Sequence, residues 1–190
     1  MLKIEETDAL LVVDVQNDFC TGGALPVPFG ERVVSPINSM LKFFDHIVFT
    51  RDWHPEDHCS FSFEPEFRDG SWPVHCIEDT PGAEFHPDLR VPVDALIINK
   101  ATDSGREAYS GFDRTGLAEM LRRRGVERVF VAGLTLDYCV RTTVLDALQE
   151  GFSTILVEDG VRAVLPENTT SILEELRAAG AETVRSNGIQ

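Results

Sequence analysis

The sequence predicts an α/β fold: a doubly wound, mainly parallel sheet with helices on both faces. Three observations carry that prediction. Apolar runs of strand length alternate along the chain with stripes of helical spacing. The runs are continuously apolar, as in strands buried on both faces, where a half-exposed strand would alternate. Several of them close on a charged or polar residue, and the carboxyl ends of such strands are where open α/β sheets set their ligand crevices.

Taken in order, Ala9-Leu10-Leu11-Val12-Val13-Asp14-Val15 is the first strand, followed by a polar loop rich in Gly and Pro up to Pro28. Val33, Val34, Ile37, Leu41 and Phe44 give a helical stripe over 31–44, with Pro36 accepted in its first turn. His46-Ile47-Val48-Phe49-Thr50 is the second strand and ends in Arg51-Asp52-Trp53-His54. No periodicity is sustained from Pro55 to Pro92, and so long a stretch without regular structure is usually functional. Asp94-Ala95-Leu96-Ile97-Ile98-Asn99-Lys100 reads as a third buried strand, with another polar loop over 101–112. A helix over 114–124 follows, with Leu117, Met120 and Leu121 inward and Gly125 as its stop. The fourth strand covers 126–132. Val140, Val144, Leu145 and Leu148 then mark a helix over 138–150, closed by Gly151. A fifth strand over 152–157, a helix over 168–179 and a short edge strand, Glu182-Thr183-Val184, complete the pattern. The expectation is a Rossmann-like, three-layer α/β/α architecture with five to six strands. It forms one domain over 1–190 with a long loop insertion at about 51–92.

A chain of 190 residues can bury a core without disulfides or a structural metal. Seventeen Lys and Arg stand against 32 Asp and Glu, for a net charge of -15. That balance argues against nucleic acid as a partner, because no basic stripe is available to displace counterions from phosphates. Arg122-Arg123-Arg124 ends a helix, where cations suit the dipole. No apolar run approaches the roughly 20 residues of a membrane span. Cys20, Cys59, Cys76 and Cys139 form no C-x-x-C pair, so the chain reads as cytoplasmic with reduced thiols.

Asp14, Asp52, Lys100 and the turn Gly133-Leu134-Thr135-Leu136-Asp137-Tyr138-Cys139 all fall at the carboxyl ends of predicted strands. In a parallel sheet these ends share one edge, so distant residues converge there. Cys139 is placed where a strand hands over to a helix, whose free N–H groups and dipole favour a thiolate and an oxyanion. Lys100 would support that thiolate, and Asp14 could serve as general base and acid. Alone, Cys139 reads as a small hydrophobe, Asp14 as a loop cap and Lys100 as a snorkelling strand-end lysine. It is their convergence that favours a nucleophilic set. A second cluster is Asp52-x-His54, His58 and His75, with Glu64 and Glu66 between. Oxygen and imidazole ligands suit zinc, iron or manganese, with Cys59 and Cys76 as rival donors. Phe19 and Trp72 could line a flat pocket or pack beneath the loop.

The motifs Asp14-Val15-Gln16-Asn17-Asp18-Phe19, Asp52-Trp53-His54-Pro55, His58-x-Ser60-Phe61, Trp72-Pro73-x-His75-Cys76, Glu107-Ala108-Tyr109-Ser110 and Gly133-Leu134-x-x-Asp137-Tyr138-Cys139-Val140 resemble those of nicotinamidases (pyrazinamidases). These are members of the isochorismatase-like cysteine hydrolase superfamily. The resemblance runs from Leu10 to about Val164, and the D-W-H-P and W-P-x-H-C segments are its specific part. It implies hydrolysis of nicotinamide to nicotinate and ammonia in NAD salvage, through a thioester on Cys139. Asp14 would be the proton shuttle and Lys100 the support of the thiolate. The N–H groups of Thr135 and Cys139 would form the oxyanion hole, with a cis peptide between Leu134 and Thr135. One divalent metal, usually described as zinc, iron or manganese, would sit on Asp52, His54 and His75 and hold the pyridine nitrogen. Zinc is the first choice among the three. His58 matches relatives with a third histidine, while Glu64 is the rival for that fourth position. Phe19 and Trp72 would sandwich the ring, with Tyr109 also at the substrate. Homo-oligomers are common in the superfamily, but no stripe here identifies an interface.

Two departures are visible. Ala101 stands where the family often has glycine after the lysine, and Gly133-Leu134-Thr135-Leu136-Asp137 stands where it often has G-L-A-T-D. The competing enzyme reading keeps the triad and acts on carbamoyl or ureido compounds. Such relatives need no metal to grip a pyridine ring. A binding protein without chemistry would not need both Cys139 and Lys100.

Overall fold

In the computed structural model, which describes residues 1–67 and 70–190, six strands build one sheet. They are β1 (Asp8–Val13), β2 (His46–Asp52), β3 (Leu96–Lys100), β4 (Arg128–Leu134), β5 (Ser153–Arg162) and β6 (Glu182–Val184). Their order is β3-β2-β1-β4-β5-β6, and every pairing is parallel. The chain thus winds outward in both directions from the β1–β4 pair, and the crevice at such a reversal is where doubly wound sheets bind ligands. The helices are α1 (Val34–Met40), α2 (Leu117–Arg123), α3 (Arg141–Gln149) and α4 (Thr169–Ala178). Among the described residues no helix is long and apolar enough to cross a membrane.

The two-residue period of a strand splits the core into two layers. Leu10 and Val12 of β1 join Phe130, Ala132 and Leu134 of β4 on one face, packed with Ile37 and Met40 of α1. Ala9, Leu11, Val13, Val129 and Val131 point the other way, against Leu117 and Leu121 of α2, Val144 of α3 and Leu176 of α4. β1 is buried along its whole length, and each of its Leu and Val side chains contributes about 1.5–3 kcal/mol. Where β1 and β4 end, the backbones almost touch. A Cβ on Gly133 would lie 2.0 Å from the carbonyl oxygen of Val13, and Gly133 has φ 123°. Only glycine lets the two strand ends, and the residues just beyond them, come so close.

Several elements differ from the sequence expectation. The helix predicted over 31–44 is a 3-10 turn (Gly30–Val33), then α1 with Pro36 in its first turn, then a second 3-10 turn (Leu41–Phe43). β3 is an edge strand rather than a fully buried one, and Ile97 is 44% exposed on it. α2 begins at Leu117 instead of Arg114, because Arg114 and Gly116 both take left-handed backbone angles, φ 55° and 74°. β5 runs on to Arg162, past the end expected at Val157. Pairing with β4 breaks across this stretch and resumes in a shifted register, Val131 opposite Leu156 and Gly133 opposite Val161. Between β2 and β3 the described residues form no helix. Isolated bridges, His54 with Ile77 and Phe61 with Trp72, fold this segment back on itself.

Candidate active site

Four strand ends meet at the β1–β4 reversal. Asp14 follows β1 and turns sharply out of it at φ 47°. Asp52 and Lys100 are the last residues of β2 and β3, and their Cα atoms are register partners. Lys100 Nζ stands 2.8 Å from Asp14 Oδ2 and 2.5 Å from Asp52 Oδ1. It also donates to the carbonyl of Ala108 at 3.3 Å and to Cys139 Sγ at 3.4 Å. Thr50 Oγ1 donates to Asp14 Oδ1 at 2.6 Å. Asp14 Oδ2 is buried without an aligned hydrogen bond, so its contact to Lys100 is an ion pair that leaves an acceptor open. Asp14, Lys100 and Cys139 are therefore in mutual reach, as the sequence suggests.

Burial raises the Asp14 carboxyl to about 6 against the pull of Lys100. For Asp52 burial acts the same way, but Lys100, His54 and His75 outweigh it and hold the carboxyl below its usual range. Burial also opposes the charge on Lys100, yet its two carboxylates keep the ammonium well above its usual range. Cys139 corrects the expectation of a resting thiolate. Burial pushes its thiol well above the ordinary range, Lys100 only partly offsets this, and Asp14 and Asp52 add to it. The resting group is a thiol beside a carboxylate able to take its proton.

Cys139 does not sit at a plain α-helix start. Residues Leu136–Val140 form a π turn, in which the Val140 N–H donates to the Thr135 carbonyl at 3.0 Å, and α3 begins only at Arg141. π turns of this kind frequently mark functional sites. The Leu134–Thr135 peptide is cis. Asp137 braces the turn from outside by accepting the N–H groups of Val164 and Leu165, both at 3.0 Å. The hydroxyl of Thr135 is buried in the pocket wall with no hydrogen-bond partner among the described residues.

Asp52 faces the second cluster as well. Donor atoms of Asp52, His54 and His75 lie within 4.8 Å of one another, and all three residues are buried. His54 Nδ1 is 3.1 Å from the His75 carbonyl, and His75 Nδ1 is 2.8 Å from the Pro73 carbonyl. A carbonyl only accepts, so each Nδ1 carries the proton and each Nε2 is left as a free lone pair. Burial lowers both imidazoles, His54 to about 4, which keeps the rings neutral and able to ligate. Two neutral imidazoles and one carboxylate suit a divalent cation, so these residues fit the group the sequence implies. His58 lies tilted against His54, with ring centroids 4.4 Å apart, but both its nitrogens are engaged. Glu64 is exposed and lies in none of the donor clusters among the described residues.

Beside the thiol and the histidines lies a pocket lined by Phe19, Trp72, Tyr109, Thr135, Cys139, Asp52, His54 and His75. Phe19 and Trp72 are each 3% exposed, and Trp72 Nε1 donates to the Tyr109 hydroxyl at 2.9 Å. The walls also include Tyr138, Glu107, Leu25 and Val164, which sequence reasoning did not single out. Tyr138 and Glu107 stand inside motifs already noted, and that was their only signal. Leu25 and Val164 carry none, since an aliphatic loop residue is unremarkable until the loop is folded.

Comparison with known proteins gives the chain its relatives. Residues 8–188 match the family model described as Isochorismatase domain. A nicotinamidase/pyrazinamidase of Mycobacterium tuberculosis is 41% identical over 189 residues, covering 94% of this chain and 99% of that one. The pyrazinamidase of Pyrococcus horikoshii, solved in complex with zinc, is 47% identical, with a TM-score of 0.86 over 94% of this chain and 99% of its own. A protein of L. infantum solved in complex with nicotinate is 36% identical, with a TM-score of 0.92 over 100% of this chain and 98% of its own.

Proposed function

The chain belongs to the isochorismatase family, and from that premise we propose that it hydrolyses nicotinamide to nicotinate and ammonia. One observation carries the reading. A buried thiol, backed by the Lys100 ammonium and the Asp14 carboxylate, opens into an aromatic-walled pocket that a carboxylate and two neutral imidazoles also line. That arrangement suits a flat heteroaromatic ring bearing a carboxamide.

Asp14 Oδ2 takes the proton of Cys139 Sγ, and Lys100 stabilises the thiolate as it forms. The sulfur attacks the carboxamide carbon, and the N–H groups of Thr135 and Cys139 receive the oxyanion. The proton on Asp14 passes to the leaving nitrogen, the C–N bond breaks and ammonia departs. A water then gives a proton to Asp14 and attacks the thioester. Collapse breaks the C–S bond, returns that proton to sulfur and releases nicotinic acid, which ionises to nicotinate. Asp52, His54 and His75 would hold the divalent cation, for which we take zinc as the first choice, with iron and manganese as alternatives. Bound there, a cation supplies a Lewis acid for the pyridine nitrogen and so orients the ring. Phe19, Trp72 and Tyr109 bound the ring and exclude water.

We read 1–190 as one domain whose 51–92 segment carries most of the cation site. We place the reaction in NAD salvage in the cytoplasm. The four free cysteines support a reducing setting, which a cysteine nucleophile needs. The test is ammonia release from nicotinamide, before and after chelation and metal add-back. Release that falls with chelation and returns with metal is the expected result. Inert nicotinamide under every metal would move the assignment to carbamoyl or ureido amides.

A further inference from the structure

We propose that Glu107, rather than His58 or Glu64, supplies the fourth group of the divalent-cation site. The inference rests on the reading that Asp52, His54 and His75 hold that cation.

His58 is already satisfied. The Ser60 N–H points at its Nδ1 from 3.3 Å, with Ser60 Oγ at 2.8 Å, so Nδ1 accepts. Its Nε2 lies 3.0 Å from the Arg106 carbonyl and so donates. A neutral ring with one nitrogen accepting and the other donating has no lone pair left for a cation. Ligation would break a buried hydrogen bond.

Glu107 is placed differently. Its carboxylate lies within 4.8 Å of donor atoms of both His54 and His58, and it lines the pocket together with Asp52 and His75. The two donor clusters share His54, so Glu107 stands beside the three-residue group. Its Oε1 accepts the Ala108 N–H at 2.9 Å, which leaves Oε2 to face a ligand. The segment is held firmly on both sides. Lys100 binds the Ala108 carbonyl at 3.3 Å, and the Tyr109 hydroxyl accepts from Trp72 at 2.9 Å. The charges give an independent reason. Asp14 and Asp52 share a single ammonium, which leaves one negative charge among the three buried groups. A dication added there leaves one positive charge on these groups, and the carboxylate of Glu107 offsets it. Neither neutral His58 nor the exposed Glu64 does this.

The experiment is a competition titration of the full-length chain with zinc against a chromophoric chelator, comparing Glu107→Gln, His58→Gln, Glu64→Gln and Asp52→Asn with the parent. Denaturation midpoints of the metal-free proteins check that each variant folds. Glu107→Gln should weaken zinc about 10–100-fold, while Glu64→Gln binds as the parent does and His58→Gln loses less than Glu107→Gln. Parent-like affinity in Glu107→Gln would overturn the proposal, as would a larger loss in His58→Gln. If Asp52→Asn also binds zinc like the parent, the cation-site reading falls with it. If only Glu107→Gln does, the site stands and Glu107 is excluded from it.

Discussion

The ammonium of Lys100 stands 2.5 Å from Oδ1 of Asp52, and this one contact joins the thiol end of the pocket to its histidine end. Asp52 therefore has two duties, as partner to a buried cation and as a face of the Asp52, His54 and His75 cluster. A substitution there disturbs both ends. Effects on metal and on rate in Asp52 variants have to be measured separately.

Lys100→Met should be costly to stability as well as to rate. It leaves two buried carboxylates without their shared cation, and breaking a buried pair in this way costs about 3–5 kcal/mol. Urea denaturation reads the loss. Adding Asp14→Asn to Lys100→Met should restore part of it by removing one unpaired charge. A double variant no more stable than the single would show that Asp14 takes up a proton once its ammonium is removed.

The rate should fall in acid. Asp14 must be ionised to take the thiol proton, so kcat/KM is expected to rise with pH through about 6. The titration of Asp14 does not itself unfold the chain in acid. With its pKa raised from 3.8 to about 6, Asp14 holds a proton in the folded chain that the unfolded chain has lost. Its contribution to stability is therefore present below 3.8 and declines as pH rises through that window. Asp14→Asn should lower kcat/KM by about 10²–10⁴ and flatten the limb. A near-parent rate would remove Asp14 from the chemistry.

His54→Ala should purify without its metal and raise KM strongly, and chelation of the parent should reproduce the rise. Elemental analysis alongside initial rates measures both. Full metal occupancy in His54→Ala would reject that residue as a ligand.

Tyr109→Phe removes the acceptor of the Trp72 indole N–H. Leaving that buried donor unpaired costs about 1–3 kcal/mol, and Trp72 loses its fixed orientation in the pocket wall. The expected outcome is a raised KM with kcat little changed, read from steady-state kinetics. A fall in kcat alone would instead make the hydroxyl part of the chemistry.

The strands nearest the site were the most legible in the sequence. β1 and β4 are buried on both faces, and that environment leaves continuous apolar runs. Lys100, Asp14 and Cys139 could be brought together because parallel strands end on one edge. Other features depend on tertiary context that no local pattern carries. β3 reads like an inner strand yet lies at the sheet edge. The fifth strand reads as ending at Val157, yet β5 resumes its pairing with β4 at Val161 after a register shift. The protonation of Cys139 turns on its complete burial, which outweighs Lys100. Glu107 is an ordinary loop carboxylate until the fold sets it beside His54.

The most direct test of the central claim is acid quench during turnover of nicotinamide, followed by mass analysis of the intact chain and of its Cys139 peptide. The expected result is one nicotinoyl group on Cys139 in the parent, with neither adduct nor ammonia from Cys139→Ala. Ammonia release by Cys139→Ala at a parent-like rate would contradict the account.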